Sequence, residues 1–269
     1  MKIVDLTIDP ALLAKLDACS RNQLIGCMHA HNELSVVNRL LLFSKNETGK
    51  GAHYNHADDV QMWLLLQILA GKLFETWLIV KDRIVSRKPP EAIVAGLSAE
   101  HSDSLAWLRS YFGEKNHRRS PIKLVRDTTA FHYGGLDLQQ AIGNLGDGEN
   151  HVYLADHPAN SLYFVGSAVV FRSLFAMIAR EAGAKAEATY EELVTDGSQR
   201  VFDDVRNANK HIHLVLYGLI KALLEQVLGR DLEGGERTDI EVLDAPSPSK
   251  VRLPVFVTMG QGAKATDED

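Results

Sequence analysis

The stretch SRNQLIGCMHAHNELSVVNRLLLF, Ser20 to Phe43, decides the fold class. Leu24, Cys27, Met28, Leu34, Val37, Leu40 and Leu41 recur at spacings near three and four, the period of one helix face rather than the alternation of a strand. Asn46 to Gly51 supplies the turn residues that end the helix. The same logic repeats downstream. Asp58 or Asp59 is fit to cap a second helix running to about Arg87, which Pro89 and Pro90 stop. Ser98 to Phe112 reads as a third, with Ser98 or Ser102 as cap, Leu105, Trp107, Leu108, Tyr111 and Phe112 on a helical period, and Gly113 as the stop. Pro121 is placed to open a fourth, because its missing N–H has no intrahelical partner at that position, and Gly134 and Gly135 end it after Tyr133.

Asp137 to Leu145 reads as a short helix, followed by a glycine turn at Gly146 to Gly148. Two β-like runs, His151 to Ala155 and Ser161 to Val165, flank Pro158, Ala159 and Asn160 and predict a small hairpin. Helical periodicity resumes at Ser167 to Ala182 and, after breaks near Gly183 and Gly197, in a strong helix from about Asp203 to Leu228. Beyond Gly229, glycines, prolines and a terminal TDED predict an extended or disordered tail, free to lie on a partner subunit. The expectation is therefore an all-α helical bundle with a small β-hairpin insertion and an extended polar C-terminal tail. Residues 1–145 would form the bundle, 146–228 the hairpin and further helices on the same body, and 229–269 the tail.

Over 269 residues, 35 acidic side chains outnumber 29 basic ones for a formal charge of −6, which argues against the uniformly basic surface of a duplex-DNA binder. A local basic patch can still hold a phosphate on an acidic protein. Cys19 and Cys27 form no disulfide framework, and the acidic N-terminal stretch MKIVDLTIDP does not read as a secretory signal, so a reduced, cytoplasmic setting is expected. Val60 to Val80 is apolar enough to be tested as a membrane span, but Gln61, Gln67, Lys72 and Glu75 interrupt it. A charged side chain at mid-bilayer costs roughly 2.5–3.5 kcal/mol, so a buried core helix with no membrane partner is the better reading.

The segment with the most chemistry is IKLVRDTTAFHYGG, Ile122 to Gly135. Cleaving RNA without a metal needs one group to take the 2′-OH proton, one to protonate the leaving 5′-oxygen, and a cation for the charge on the phosphate. His132 can move protons near neutral pH, and Arg126 offers a planar fork matched to phosphate. At about 100° per residue the two lie roughly 120° apart around a regular helix, so they meet only if the last turn is distorted. Lys115, Arg118, Arg119 and Lys123 are expected to line a path for the nucleic-acid backbone.

Arg126, Asp127 and His132, within RDTTAFHY, resemble the signature of the HEPN superfamily, in which an arginine followed by a polar residue precedes a histidine with four to six residues between them. The resemblance spans roughly Ser20 to Leu145. It implies an all-α bundle that dimerises so that two motifs face each other. In active members it implies metal-independent RNA cleavage in toxin–antitoxin or phage-defence systems, sometimes with an antitoxin or regulatory protein as partner. Other members are non-catalytic binding or dimerisation scaffolds. In the toxin branch modified on a tyrosine, one residue separates histidine and tyrosine; here Tyr133 follows His132 directly, so that regulation is not carried over.

A second match, Arg206, Asn207 and His211, lies mid-helix, where Arg206 and His211 fall about 140° apart. It reads as a degenerate second half, a contributor to the same cleft, or an exposed polar face. Cys27, His29, His31 and Glu33, with His53, His56 and Asp58, form a dense polar cluster. On a helix only Cys27 with His31, or His29 with Glu33, share a face. A metal-dependent hydrolase therefore stands open beside polar residues at a bend or dimer surface, with no metal or cofactor expected. No phosphate loop, dinucleotide fingerprint or serine elbow is present.

Overall fold

In a computed structural model of the chain, Asp17 opens the first long helix, its carboxylate accepting from the Cys19 and Ser20 amides. The structure describes residues 1–44, 51–81, 93, 96–113, 120–130, 134–229, 232 and 234–258. Among them are eight helices: α1 (Pro10–Leu13), α2 (Ala18–Phe43), α3 (Ala52–Val80), α4 (Ala99–Tyr111), α5 (Pro121–Val125), α6 (Leu138–Gly143), α7 (Phe164–Glu181) and α8 (Tyr190–Leu228). Two strands, β1 (Lys2–Thr7) and β2 (Glu236–Glu241), complete the fold. The chain is thus the helical bundle that its periodicity predicts.

The spine is α8, whose 39 residues span about 58 Å at 1.5 Å per residue. Thr189 starts it with a capping box, accepting from the Glu192 amide while the Glu192 carboxylate accepts from the Thr189 amide. Gly197, expected as a break, lies inside this helix. A Cβ there would fall 2.5 Å from the Phe175 carbonyl carbon, so glycine lets α7 and α8 touch backbone to backbone. Leu24, Leu34, Leu73, Trp77, Leu108, Ile122, Leu174 and Leu216 join α2, α3, α4, α5, α7 and α8 in one continuous core. Each such side chain contributes roughly 1.5–3 kcal/mol of burial.

Several boundaries differ from expectation. The second helix begins at Ala52 behind Gly51, whose φ of 109° suits glycine, and not at Asp58 or Asp59; Asp58 is buried within it. Arg87, Pro89 and Pro90 lie outside the described residues. The two β-like runs meet antiparallel through one bridge, Tyr153 with Leu162, over a 3₁₀ turn at Pro158–Asn160. Phe164 and Val165 join α7 instead of extending a strand, because Phe164 buries its ring there and stacks on His56. Two helices, α3 and α8, are long and apolar enough to cross a membrane, and about half of each apolar stretch is buried inside the fold.

The described part of the tail lies along its own chain. β2 pairs antiparallel with β1, with Ile3 opposite Ile240. The Leu253 amide donates to the Phe43 carbonyl (3.2 Å), and Asn160 exchanges hydrogen bonds with the backbone of Val257 (2.7 and 3.1 Å).

Candidate functional site

Pro121 occupies the first turn of α5, as the sequence predicts, and Ser120 caps it. Ile122 and Val125 bury against the core and fix the helix over α3. After five residues the backbone widens into a π-helical turn, Arg126–Ala130. The Thr129 hydroxyl donates to the Val125 carbonyl (3.0 Å), a side-chain bond that competes with the regular backbone ladder. This back-bond lies within the widened turn that starts at the arginine of the motif. Such π-turns are frequent at functional sites.

Arg126 is gripped from two sides. One terminal nitrogen donates to Glu75 Oε1 on α3 (2.8 Å) and the other to Asp127 Oδ1 (2.8 Å). Lys123 Nζ pairs with the other oxygen of Asp127, one helical turn away. The guanidinium carbon sits 5.3 Å from the centre of the Phe74 ring and Lys123 Nζ 6.0 Å from it, within cation–π range. Two cations and two carboxylates cancel, so this quartet is neutral. About a third of the Arg126 side chain remains exposed, and each ion pair is worth about 1 kcal/mol at most after solvent screening. The Asp127 hydrogen bond, with Glu75 adding to it against some desolvation, holds the Arg126 guanidinium above the usual arginine range. Partial burial would raise the Asp127 carboxyl, but the hydrogen bonds from Lys123 and Arg126 outweigh it and leave it below the ordinary carboxylate range.

The structure therefore brings together Arg126, Asp127 and Lys123. His132, Lys115, Arg118 and Arg119 lie outside the described residues. The residue that sequence reasoning did not assign to this site is Glu75. It stood out only as a charge interrupting an apolar stretch, 51 positions from Arg126. Lys72, another interruption, bridges α3 to α2 by donating to Glu33 (2.5 Å).

The second motif is divided between two faces, as its angular separation predicts. Arg206 is exposed and paired to Asp203 (2.6 Å), on the rim of a half-open cleft of about 330 Å³ lined by Asn38, Leu41, Met62, Leu66 and Phe202. Asn207 is exposed. His211 turns to α4, stacking on Trp107 at 4.4 Å with Nδ1 3.1 Å from the Ser104 hydroxyl. Burial, then nearby Lys210, holds His211 below the usual imidazole range.

The N-terminal cluster disperses. Cys27 is in the core, His29 reaches Glu33 (3.7 Å), and His31 meets His213 edge to face at 5.1 Å. His56 bonds the Tyr153 hydroxyl through Nδ1 (2.9 Å), and His53 packs on Tyr54. Among the described residues, no three histidine, cysteine or acidic side chains gather as a metal-ligand set. The arrangement gives no support to the metal-dependent hydrolase.

No family model, curated protein or solved structure matches the chain.

Proposed function

We propose that the chain is a HEPN-like, metal-independent endoribonuclease of the cytoplasm, acting as a homodimer in a toxin–antitoxin or phage-defence setting. The observation that carries this reading is the π-helical turn that begins at Arg126, with the guanidinium held by Glu75 and Asp127 and still partly open to solvent. His132 is the proton-transfer group and Arg126 stabilises the negative charge on the phosphate in the transition state. Asp127 and Glu75 orient the guanidinium and limit its rotamers, and Lys123 completes the cationic side. An incoming phosphate exchanges with one of the two carboxylates on Arg126. Lys115, Arg118 and Arg119 guide the RNA backbone.

A second reading, a non-catalytic HEPN-like binding and dimerisation protein, is favoured by one specific observation. Both terminal guanidinium nitrogens already donate to carboxylates, so the quartet is balanced in charge without a substrate. In that case Arg126 ties α5 to α3 and has no catalytic duty.

The test is cleavage of labelled single-stranded RNA in excess EDTA by the full chain. The ribonuclease reading expects cutting that His132→Ala and Arg126→Ala abolish while helical circular dichroism is retained. It also expects Glu75→Gln to raise phosphate affinity up to about fivefold, the equivalent of roughly 1 kcal/mol of competition removed. Cutting that survives in His132→Ala refutes the assignment of the site. Failure of wild type and Glu75→Gln alike to cut any RNA favours the scaffold.

A further inference from the structure

Among the described residues, the β1–β2 ribbon is a two-stranded sheet with both outer edges unpaired. Lys2 to Asp5 and Glu236 to Glu241 are exposed on both faces, and among the described residues no third strand flanks either edge. Isolated two-stranded ribbons are marginal in water, whereas three or more strands with an apolar face are not. The apolar face is present: Ile3 and Ile240 lie directly opposite each other, each with 43% of its surface exposed, and Val242 follows on the same side.

The hydrogen-bond phase fixes what the edge can accept. Met1 and Val242 exchange both backbone bonds (2.8 and 2.9 Å), so in an antiparallel ladder Ile3 and Asp5 are likewise bonded across to β2. Lys2 and Val4, at the alternate positions, point their N–H and C=O groups outward along the free edge of β1.

We propose that this edge is an interface between two copies of the chain, β1 pairing antiparallel with β1 of a partner subunit to give a four-stranded sheet in the order β2–β1–β1–β2. Antiparallel pairing about a two-fold axis normal to the sheet requires outward-pointing residues to meet. With the axis at Ile3, Lys2 exchanges backbone bonds with Val4 of the partner subunit, and Val4 with Lys2 of the partner subunit. Ile3 then stands against Ile3 of the partner subunit, and the row Ile240–Ile3–Ile3–Ile240 runs unbroken across the sheet. The same row built on the outer edge of β2 would set Asp239 opposite Glu241 of the partner subunit at two places, a like-charge pairing that destabilises a sheet. The β1 edge brings no like charges into register, which is why it is the edge chosen. The inference shares with the ribonuclease reading the expectation of two copies but not the contact between them, since the ribbon lies on other elements than α5; RNA cleavage in EDTA tests that reading and Val4→Pro tests this one.

A six-residue edge is smaller than the roughly 1,200–2,000 Å² of a stable interface, so a concentration-dependent dimer with a micromolar dissociation constant is expected. Sedimentation of the full chain from 1 to 200 µM tests this, with Val4→Pro as the diagnostic variant. Proline at that position removes an outward N–H and no β1–β2 bond, so it blocks the edge and spares the ribbon. The expected result is a wild-type dimer, at least tenfold weaker association in Val4→Pro, and an unchanged thermal midpoint at 1 µM. In a Cys19→Ser background, which removes the exposed native thiol, Ile3→Cys should cross-link to a covalent dimer on mild oxidation. A wild-type chain that stays monomeric to 200 µM overturns the proposal. So does a dimer that Val4→Pro leaves at full strength with no cross-link through position 3, because such a dimer uses another face.

Discussion

Replacing Gly197 by alanine tests the account of how α7 and α8 pack. Glycine inside a helix ordinarily costs about 1 kcal/mol relative to alanine, so propensity alone predicts that Gly197→Ala stabilises the protein. The structure predicts the reverse. The new Cβ would fall on the carbonyl oxygen of Phe175, 2.5 Å from its carbon and 2.9 Å from its Cα, against normal contacts well beyond 3 Å. These are backbone atoms of a helix, and no side-chain rotation relieves them, so α7 and α8 must separate and loosen the packing of Phe175, Ala176 and Ala179. Overpacking of this kind costs about 1–3 kcal/mol, and the absence of a flexible neighbour puts it at the upper end. Subtracting the propensity gain leaves a net loss of about 2 kcal/mol, or a midpoint lower by roughly 4–8 °C for a chain of this size. Urea titration and thermal circular dichroism read the effect. Gly166→Ala on α7 is the control, since nothing lies within 4 Å of its added carbon, and it should be neutral or slightly stabilising. Gly197→Ala as stable as wild type would refute the close approach.

Three further outcomes follow from the same structure. Arg172 is buried and donates to Glu149, Glu191 and the Asn144 carbonyl, so Arg172→Met should cost about 2–3 kcal/mol in urea unfolding, less than a fully buried pair because Glu191 reaches solvent. Thr189→Ala removes the capping box of α8 and should lower stability by about 1 kcal/mol in the same assay. His31 and His213 are both held below the ordinary imidazole range by burial, with His31 also acting on His213. The unfolded chain therefore binds their protons more readily. Their contribution to stability is complete above about pH 6.5 and declines as the pH falls toward the depressed folded values. Calorimetry from pH 7.5 to 5 should show this decline, and His213→Phe should flatten it, although Asp59 and Asp204, whose carboxyls burial raises, act in the opposite sense.

Much of the helical framework was legible locally. Ser98 caps the helix expected of it, and a helix opens at Pro121 as expected, because caps and first-turn prolines act between residues only a few positions apart. Gly197 misled for a physical reason: a lone glycine reads as a break, and only the neighbouring helix reveals that its missing side chain is a contact. Phe164 likewise reads as strand until its burial in the fold is known. The ribbon was invisible because β1 and β2 are separated by more than two hundred residues, and neither short run carries the turn that announces a hairpin.

The candidate site divides along the same line. Sequence alone determined that Arg126, Asp127 and Lys123 share a short helical segment opened by a proline, and that Arg206 and His211 point apart, because helix geometry relates neighbours by fixed angles. Only the tertiary structure decided that Glu75 crosses from α3 to take one side of Arg126, that the quartet is electrically neutral, and that the histidines of the N-terminal cluster face different partners. Charges and rings find one another through space once helices pack, and a spacing of 51 residues has no period to betray it.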